Sequence, residues 1–388
     1  MIFLDHGTTT PLLPAVYAAM QPYYEDRFAV ASGQYAAARQ ARKEVESARE
    51  TLAGILRCRP AEIVFTSGGT EAANLAVRGV AEANRRRGDH IITTQVEHRA
   101  VLDVCQQLER QGFRVTYLPV NGDGIVDLDG LQQALDDQTI LVAVMLANNE
   151  VGTLQPMADV VRRVKDKSRA IPVYTDAAAA GGVLDLDVQR LGVDLLSLSA
   201  HKTNGPTGAG LLYARRLLPL QAQILGGNQE RNRRAGTEHL AGIVGMARAF
   251  ELAYADLEAR RAHLQGLTNR LVEGLLAAVD GAVLAGPADP AARLPHLATI
   301  CFRYIDGEAM VLNLDVQGIA AASGSACASA TFDPSHVLRA MGVPKELAHG
   351  NLRLGVGVAN TAAEIDQALE IIPRVVARLR EISPLTPG

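Results

Sequence analysis

The sequence predicts an α/β protein: a large domain on a mainly parallel sheet covered by helices, followed by a smaller α+β domain. Three observations carry this reading. Short β-rich runs alternate with segments of helical apolar spacing over the first two-thirds of the chain. Hydrophobic residues make up 48% of the 388, enough to cover a sheet on both faces. Past "GPADPAARLP" the alternation stops, and residues 285–295 read as a boundary region.

In chain order, "EIVFTS" (62–67), "HIITT" (90–94), "FRVTYL" (113–118), "ILVAVMLA" (140–147), "IPVYTD" (171–176) and "DLLSLS" (194–199) read as strands. "TEAANLAVRGVAEANRRR" and "EHRAVLDVCQQLERQG" lie between them with apolar residues at helical spacing. Thr70 can cap the first of these helices, and basic residues with Gly88 close it. Strands joined by crossover helices make a parallel sheet. Residues 237–280 read as one long helix. "HLATICFR", a helix near 307–315, "NLRLGVG" and a terminal helix then make up the smaller domain.

Composition excludes several classes. Aromatics are 4% with no Trp, which leaves no stacking platform for single-stranded nucleic acid. The net charge of -4, with both signs interspersed, gives no reason to expect direct nucleic-acid binding. The four cysteines have no CxxC spacing and form no metal-ligand pattern with the nine His, so no metal is expected. "MIFLDHGTTTP" lacks a charged region followed by an apolar run, so no signal peptide is expected, and no run nears the roughly 20 apolar residues of a membrane span. A cytoplasmic protein away from membranes is expected.

The chemistry-bearing residues sit at the ends of predicted strands. In "LSLSAHKTNGPTGAG", Lys202 follows an apolar strand, where open α/β sheets bind ligands. Such an amine suits a Schiff-base lysine for pyridoxal phosphate; an exposed loop lysine is the plain alternative. The glycine order of "GPTGAG" is wrong for a nucleotide loop. Asp176 ends "IPVYTD", where a bare surface Asp and a partner for a pyridinium nitrogen are equally good readings. "FTSGGTEAAN" puts a Gly pair and Thr70 at a helix start, which suits a phosphate without any basic residue; taken alone, it reads as an ordinary capped helix. His98 in "QVEHRAVLD" can lie flat on a planar cofactor, and Asn149 in "MLANNEVGT" can reach a phenolic oxygen. Arg353 in "NLRLGVG" carries a fork suited to a carboxylate, or else marks an edge strand. Cys327 stands in "AASGSACASA", where nothing around it can pack a core.

Taken together, "LDHGTTTP", "FTSGGTEAAN", "VEHRAVLD", "NNEVGT", "SAHKTNGPTGAGLLYARR", "GGNQERNRRAGT", "SGSACASA" and "PSHVLRAMG" resemble the NifS-like cysteine desulfurases end to end. These are a branch of the class V aminotransferase family of pyridoxal-phosphate enzymes. The resemblance implies a seven-stranded sheet of the aspartate aminotransferase type. It implies an N-terminal segment 1–15 packing with the small domain, a large domain 16–260, and a small domain 261–388 carrying a mobile catalytic loop at about 321–331. Lys202 would hold the cofactor, with His98 over its ring, Asp176 under the pyridinium and Asn149 at the phenolic oxygen. Gly69, Thr70, Ser199 and His201 would surround the phosphate, joined by Thr237 from the partner of a homodimer. Asn149 and Arg353 would bind the substrate, L-cysteine. The Cys327 thiolate would take its sulfur as a persulfide, leaving alanine, and pass it to an acceptor protein.

Three positions depart from the family pattern. Ala179 stands where most relatives have Gln, which removes one hydrogen bond worth roughly 0.5–1.5 kcal/mol. "FAVASGQYAAARQA" replaces the usual entrance loop, and "GVGVAN" lacks an Arg after its first Gly-containing turn. Cys301 is expected in a strand, Cys105 on a helix, and Cys58 near an exposed helix end. An aminotransferase or lyase on the same fold, and a non-catalytic scaffold, are the competing readings. Fe–S assembly, tRNA thiolation and DNA phosphorothioation are all compatible destinations for the sulfur.

Overall fold

The structure is a computed structural model that describes residues 1–324 and 334–383. After a short β1 (Ile2–Phe3), the chain forms β2 (Ile63–Thr66), β3 (His90–Thr94), β4 (Arg114–Leu118), β5 (Thr139–Ala143), β6 (Val173–Asp176), β7 (Leu195–Ser199) and β8 (Gly210–Ala214). These last seven make one sheet in the order β2–β8–β7–β6–β5–β3–β4. Neighbours from β7 to β4 are parallel, and β8 runs antiparallel to both β7 and β2. β8 is not among the strands the sequence predicts. Its "GLLYA" follows a glycine-rich turn and has the length of a loop remnant, yet every residue of it is buried.

Adjacent residues of one strand enter different cores, because side chains alternate across a sheet. Ile92, Leu196 and Leu211 pack with Leu52 and Phe250 on one face. Ile91, Leu195 and Leu212 pack with Leu75, Val77 and Leu108 on the other. Burial on both faces explains why β5 reads as a nearly unbroken apolar run rather than an alternating one.

The helix expected over 237–280 is two helices, Leu240–Ala255 and Leu257–Ala278. Asp256 breaks it at φ -144° and ψ 68°, and its carboxylate accepts from the Ala259 N–H. An aspartate caps a helix start better than it fills an interior, and this one was read as interior.

A second, antiparallel sheet joins β9 (Ala282–Ala285), β10 (Leu297–Phe302) and, across a helix Gly307–Val316 and a short β11 (Ile319–Ala320), β12 (Asn351–Gly355), with β10 in the middle. The helices Leu257–Ala278 and Ala362–Ile382 pack closely, and a Cβ on Gly274 would sit 2.6 Å from Leu369 Cδ2. The 292–294 segment is stitched to the large sheet's loops: Leu154 N–H donates to Ala292 O and Leu294 N–H to Gly152 O.

The N-terminal segment runs between the two sheets. β1 pairs with β11, and Gly355 N–H donates to Leu4 O. A few residues on, Thr10 N–H donates to His201 O and Leu13 N–H to Asn204 O. In the 28–41 stretch, Arg42 donates to the carbonyls of Ala31 and Gly33, and the helix Ala36–Leu56 takes over; Phe28 and Tyr35 remain exposed. No helix among the described residues is long and apolar enough to cross a membrane.

Candidate functional site

One cavity of about 250 Å³ opens at the carboxyl ends of the parallel strands. Its lining includes Gly69, Thr70, His98, Asn149, Asp176, Ser199, His201, Lys202 and Arg353, together with Ala179. Nine residues singled out in the sequence, from six separate stretches, therefore meet at one place. Two do not. Thr237 is exposed and outside this lining, and Cys327 lies outside the described residues.

Each strand end delivers its residue by a local device. β2 runs into Gly68, the cap of the helix Gly69–Asn84, at φ 151° and ψ -179°. Only glycine adopts that backbone readily, so the first glycine of the pair is a conformational requirement. No side chain caps this helix. Its start lies against β7: a Cβ on Gly69 would be 3.6 Å from Ser199 Cβ. Ser199 ends β7, and a 3-10 turn Ala200–Lys202 then turns the lysine into the cavity lining.

Asp176 ends β6 and is 8% exposed. Its Oδ1 accepts from Ala178 N–H at 2.9 Å and from the Ser197 hydroxyl at 3.0 Å, and Tyr174 shares a hydrogen bond of 2.8 Å with that hydroxyl. The carboxylate is thereby held in one orientation. His98 caps the helix Arg99–Arg110, its Nδ1 accepting from Ala100 N–H at 3.1 Å. That bond requires an unprotonated Nδ1. Burial, first, and the Lys202 cation push its pKa down, so the ring is neutral. His201 shares a hydrogen bond of 3.1 Å with Thr9 Oγ1; burial and then Lys202 push its pKa down to about 4.

The N-terminal segment supplies residues to which the sequence analysis assigned no site role. Lys202 Nζ donates to Gly7 O at 2.5 Å. Arg353, 6% exposed, donates to Asp5 Oδ1 at 3.2 Å and to the Thr8 hydroxyl, and Thr8 itself donates to Asp5 Oδ1 at 2.8 Å. The signal was present in "LDHGTTTP", a polar run directly after a strand, but not which strand ends it would meet. Asn148 is a second such residue. Its Oδ1 accepts from Glu150 and Val151 N–H, and its Nδ2 donates to Val96 O, which fixes the turn presenting Asn149.

On either side of 325–333 the chain is anchored near this turn. Ser335 Oγ donates to Glu150 Oε2 at 2.5 Å, and Gly324 N–H donates to Asn351 Oδ1 at 2.5 Å. Of the other cysteines, Cys105 is on a helix and Cys301 in β10, as expected, and both are buried. Cys58 is half-buried rather than exposed, because it follows the helix Ala36–Leu56 down onto the core. Burial raises all three thiols, Cys58 and Cys301 to about 12. Thiols so placed stay protonated and are poor nucleophiles.

Residues 2–368 match the family described as aminotransferase class-V. The chain is 44% identical to a cysteine desulfurase IscS of Clostridium botulinum over 384 residues, covering 99% of this chain and 96% of that one. A solved NifS-like protein superposes with a TM-score of 0.91 at 36% identity, over 97% of this chain and all of the other. The structure of SspA in complex with cysteine superposes at 0.81 with 31% identity, over 92% and 99%. The chain therefore belongs to the class-V aminotransferase family, within its NifS-like cysteine desulfurase branch.

Proposed function

We propose that this protein is a pyridoxal-phosphate-dependent cysteine desulfurase, which takes sulfur from L-cysteine, leaves L-alanine and hands the sulfur to an acceptor protein. The observation that carries the reading is the cavity in which Lys202, His98 and Asp176, from the ends of β7, β3 and β6, meet Arg353 from the middle of β12. The residues fit the cofactor. An uncapped helix start with glycines at positions 68 and 69 suits a phosphate, with Thr70, Ser199 and His201 as its further donors. Asp176, with Oδ1 already engaged by two donors, has Oδ2 to offer a ring nitrogen. A neutral His98 can cover the ring without adding charge. Bound there, the cofactor supplies an electron sink for bonds at the substrate's α-carbon.

In this reading the chain's own residues divide the work. Lys202 holds the cofactor and carries protons to and from the substrate carbon. Arg353 holds the substrate carboxylate, pre-aimed by Asp5 and Thr8, while Asn149 contacts the phenolic oxygen alone, since Ala179 cannot donate. The Cys327 thiolate forms an S–S bond to the substrate sulfur as the C–S bond breaks, and the electron pair of that bond returns to the substrate carbon. Thr237 acts on the phosphate of the second copy in a cytoplasmic homodimer. The large domain spans 16–260 and the small domain 261–388, with 1–15 between them. Fe–S assembly, tRNA thiolation or DNA phosphorothioation consumes the sulfur, and the enzyme binds the acceptor protein rather than nucleic acid.

The test is product analysis with the purified holoenzyme and L-cysteine. Equal amounts of alanine and reducible sulfur are expected. A keto acid in place of alanine would favour an aminotransferase, and no product with bound cofactor would favour a scaffold.

A further inference from the structure

Glu97, directly before His98, is the most deeply buried carboxyl group beside the cavity, with 0% exposure. One of its oxygens, Oε1, accepts from Met145 N–H at 2.8 Å and from the Thr94 hydroxyl at 3.0 Å. Thr94 is the last residue of β3, and Met145 lies two residues past β5, its neighbour in the sheet. Glu97 thus ties two strand ends together directly beneath two cavity-lining residues, His98 and Met145. Its other oxygen, Oε2, is buried and has no hydrogen-bond partner among the described residues.

That asymmetry bears on its charge. An ionised carboxylate has about four acceptor sites to satisfy, and leaving one oxygen bare in a dry interior costs far more than leaving a hydroxyl there. No cation among the described residues acts on it. Facing Glu97 are Asp176 and Tyr174 from β6, Cys105 from the helix Arg99–Arg110, and His336, whose Nε2–H donates to the Glu97 carbonyl at 2.9 Å. His336 is itself neutral, its pKa lowered by burial. Burial first, and the Asp176 charge after it, push the Glu97 carboxyl up to about 8. Two neighbouring carboxyl groups do not both ionise easily.

We infer that Glu97 is a positioning residue: an uncharged, buried carboxylic acid that clamps the ends of β3 and β5 and so fixes His98 and Met145 around the cofactor. The inference rests on the cavity being the cofactor site. Glutamine keeps the accepting oxygen and cannot ionise, whereas leucine keeps the bulk and loses the acceptor.

The experiment compares wild type, Glu97→Gln and Glu97→Leu by melting temperature without cofactor, from pH 5 to 9.5, and by pyridoxal-phosphate titration at pH 7. The native state must hold a proton that the unfolded chain releases near 4.5, so wild-type stability falls as pH rises from about 4.5 to about 8 and the loss is constant above. The melting temperature of Glu97→Gln minus that of wild type should therefore climb up to about pH 8 and then level off. Cofactor affinity of Glu97→Gln should stay within about threefold of wild type, and that of Glu97→Leu should fall about tenfold or more. A melting difference independent of pH would overturn the uncharged state, and wild-type cofactor affinity in Glu97→Leu would overturn the positioning role. If wild type itself takes up no cofactor, the cavity reading fails, while the cofactor-free melting curves still decide the charge of Glu97.

Discussion

The two walls of the cavity are built differently. The wall carrying His98, Asp176, Ser199 and Lys202 belongs to a single sheet, whose strand ends are locked by burial on both faces. The opposite wall, with Arg353, is assembled from chain segments about as far apart in sequence as the protein allows. Arg353 comes from β12 of the small sheet, and Asp5 and Thr8, which aim it, come from the N-terminus. One wall is rigid by construction; the other depends on two pieces docking. In the proposed mechanism the first receives the cofactor and the second the substrate carboxylate. Cofactor affinity and substrate affinity should therefore be separable by mutation.

The largest effect is expected on the sheet wall. Lys202→Ala removes the one amine at the end of β7, so turnover should fall by about 10³-fold or more and the cofactor's visible absorbance should change. A variant that keeps the wild-type spectrum would break the assignment. Arg353→Lys keeps the charge and loses the fork, and a charge-assisted hydrogen bond is worth about 1.5–3 kcal/mol. KM for cysteine should rise about 10- to 100-fold with cofactor affinity unchanged. A parallel loss of cofactor would show that the two walls are not independent.

Asp5→Ala leaves Arg353 present and held by Thr8 alone. A loss of about 1 kcal/mol predicts a fivefold rise in KM, again measured beside an unchanged cofactor titration. The smallest effect belongs to Ala179→Gln, which returns a donor to the cavity wall. It should shift the absorbance of the bound cofactor while changing turnover by less than about threefold, since one net hydrogen bond is involved. An unchanged spectrum would mean that the new amide does not reach the ring oxygen.

The same contrast explains what could be read from the sequence. The sheet wall was legible because apolar runs mark strands and a polar residue just past each run is conspicuous; Lys202, Asp176 and His98 were found this way. The other wall was only half legible. Arg353 stood out in an apolar strand, but its partners Asp5 and Thr8 are 348 and 345 positions away, and no local pattern encodes that pairing. β8 was missed because its lead-in, Gly208–Ala209–Gly210, looks like a loop. The break at Asp256 was missed because helical apolar spacing continues through it. Glu97 gave no signal at all: a glutamate before a helix usually faces water, and only the fold shows that this one is sealed in.

The central claim is that the cavity delivers sulfur from cysteine to Cys327. Mass mapping of wild type and Cys327→Ser after incubation with L-cysteine tests it most directly. The account predicts one extra, reductant-labile sulfur on the wild-type peptide containing residue 327. It predicts none in Cys327→Ser, which should still bind cofactor and cysteine yet release sulfur orders of magnitude more slowly. Extra sulfur on the peptide containing Cys58, or wild-type sulfur release from the serine variant, would contradict it.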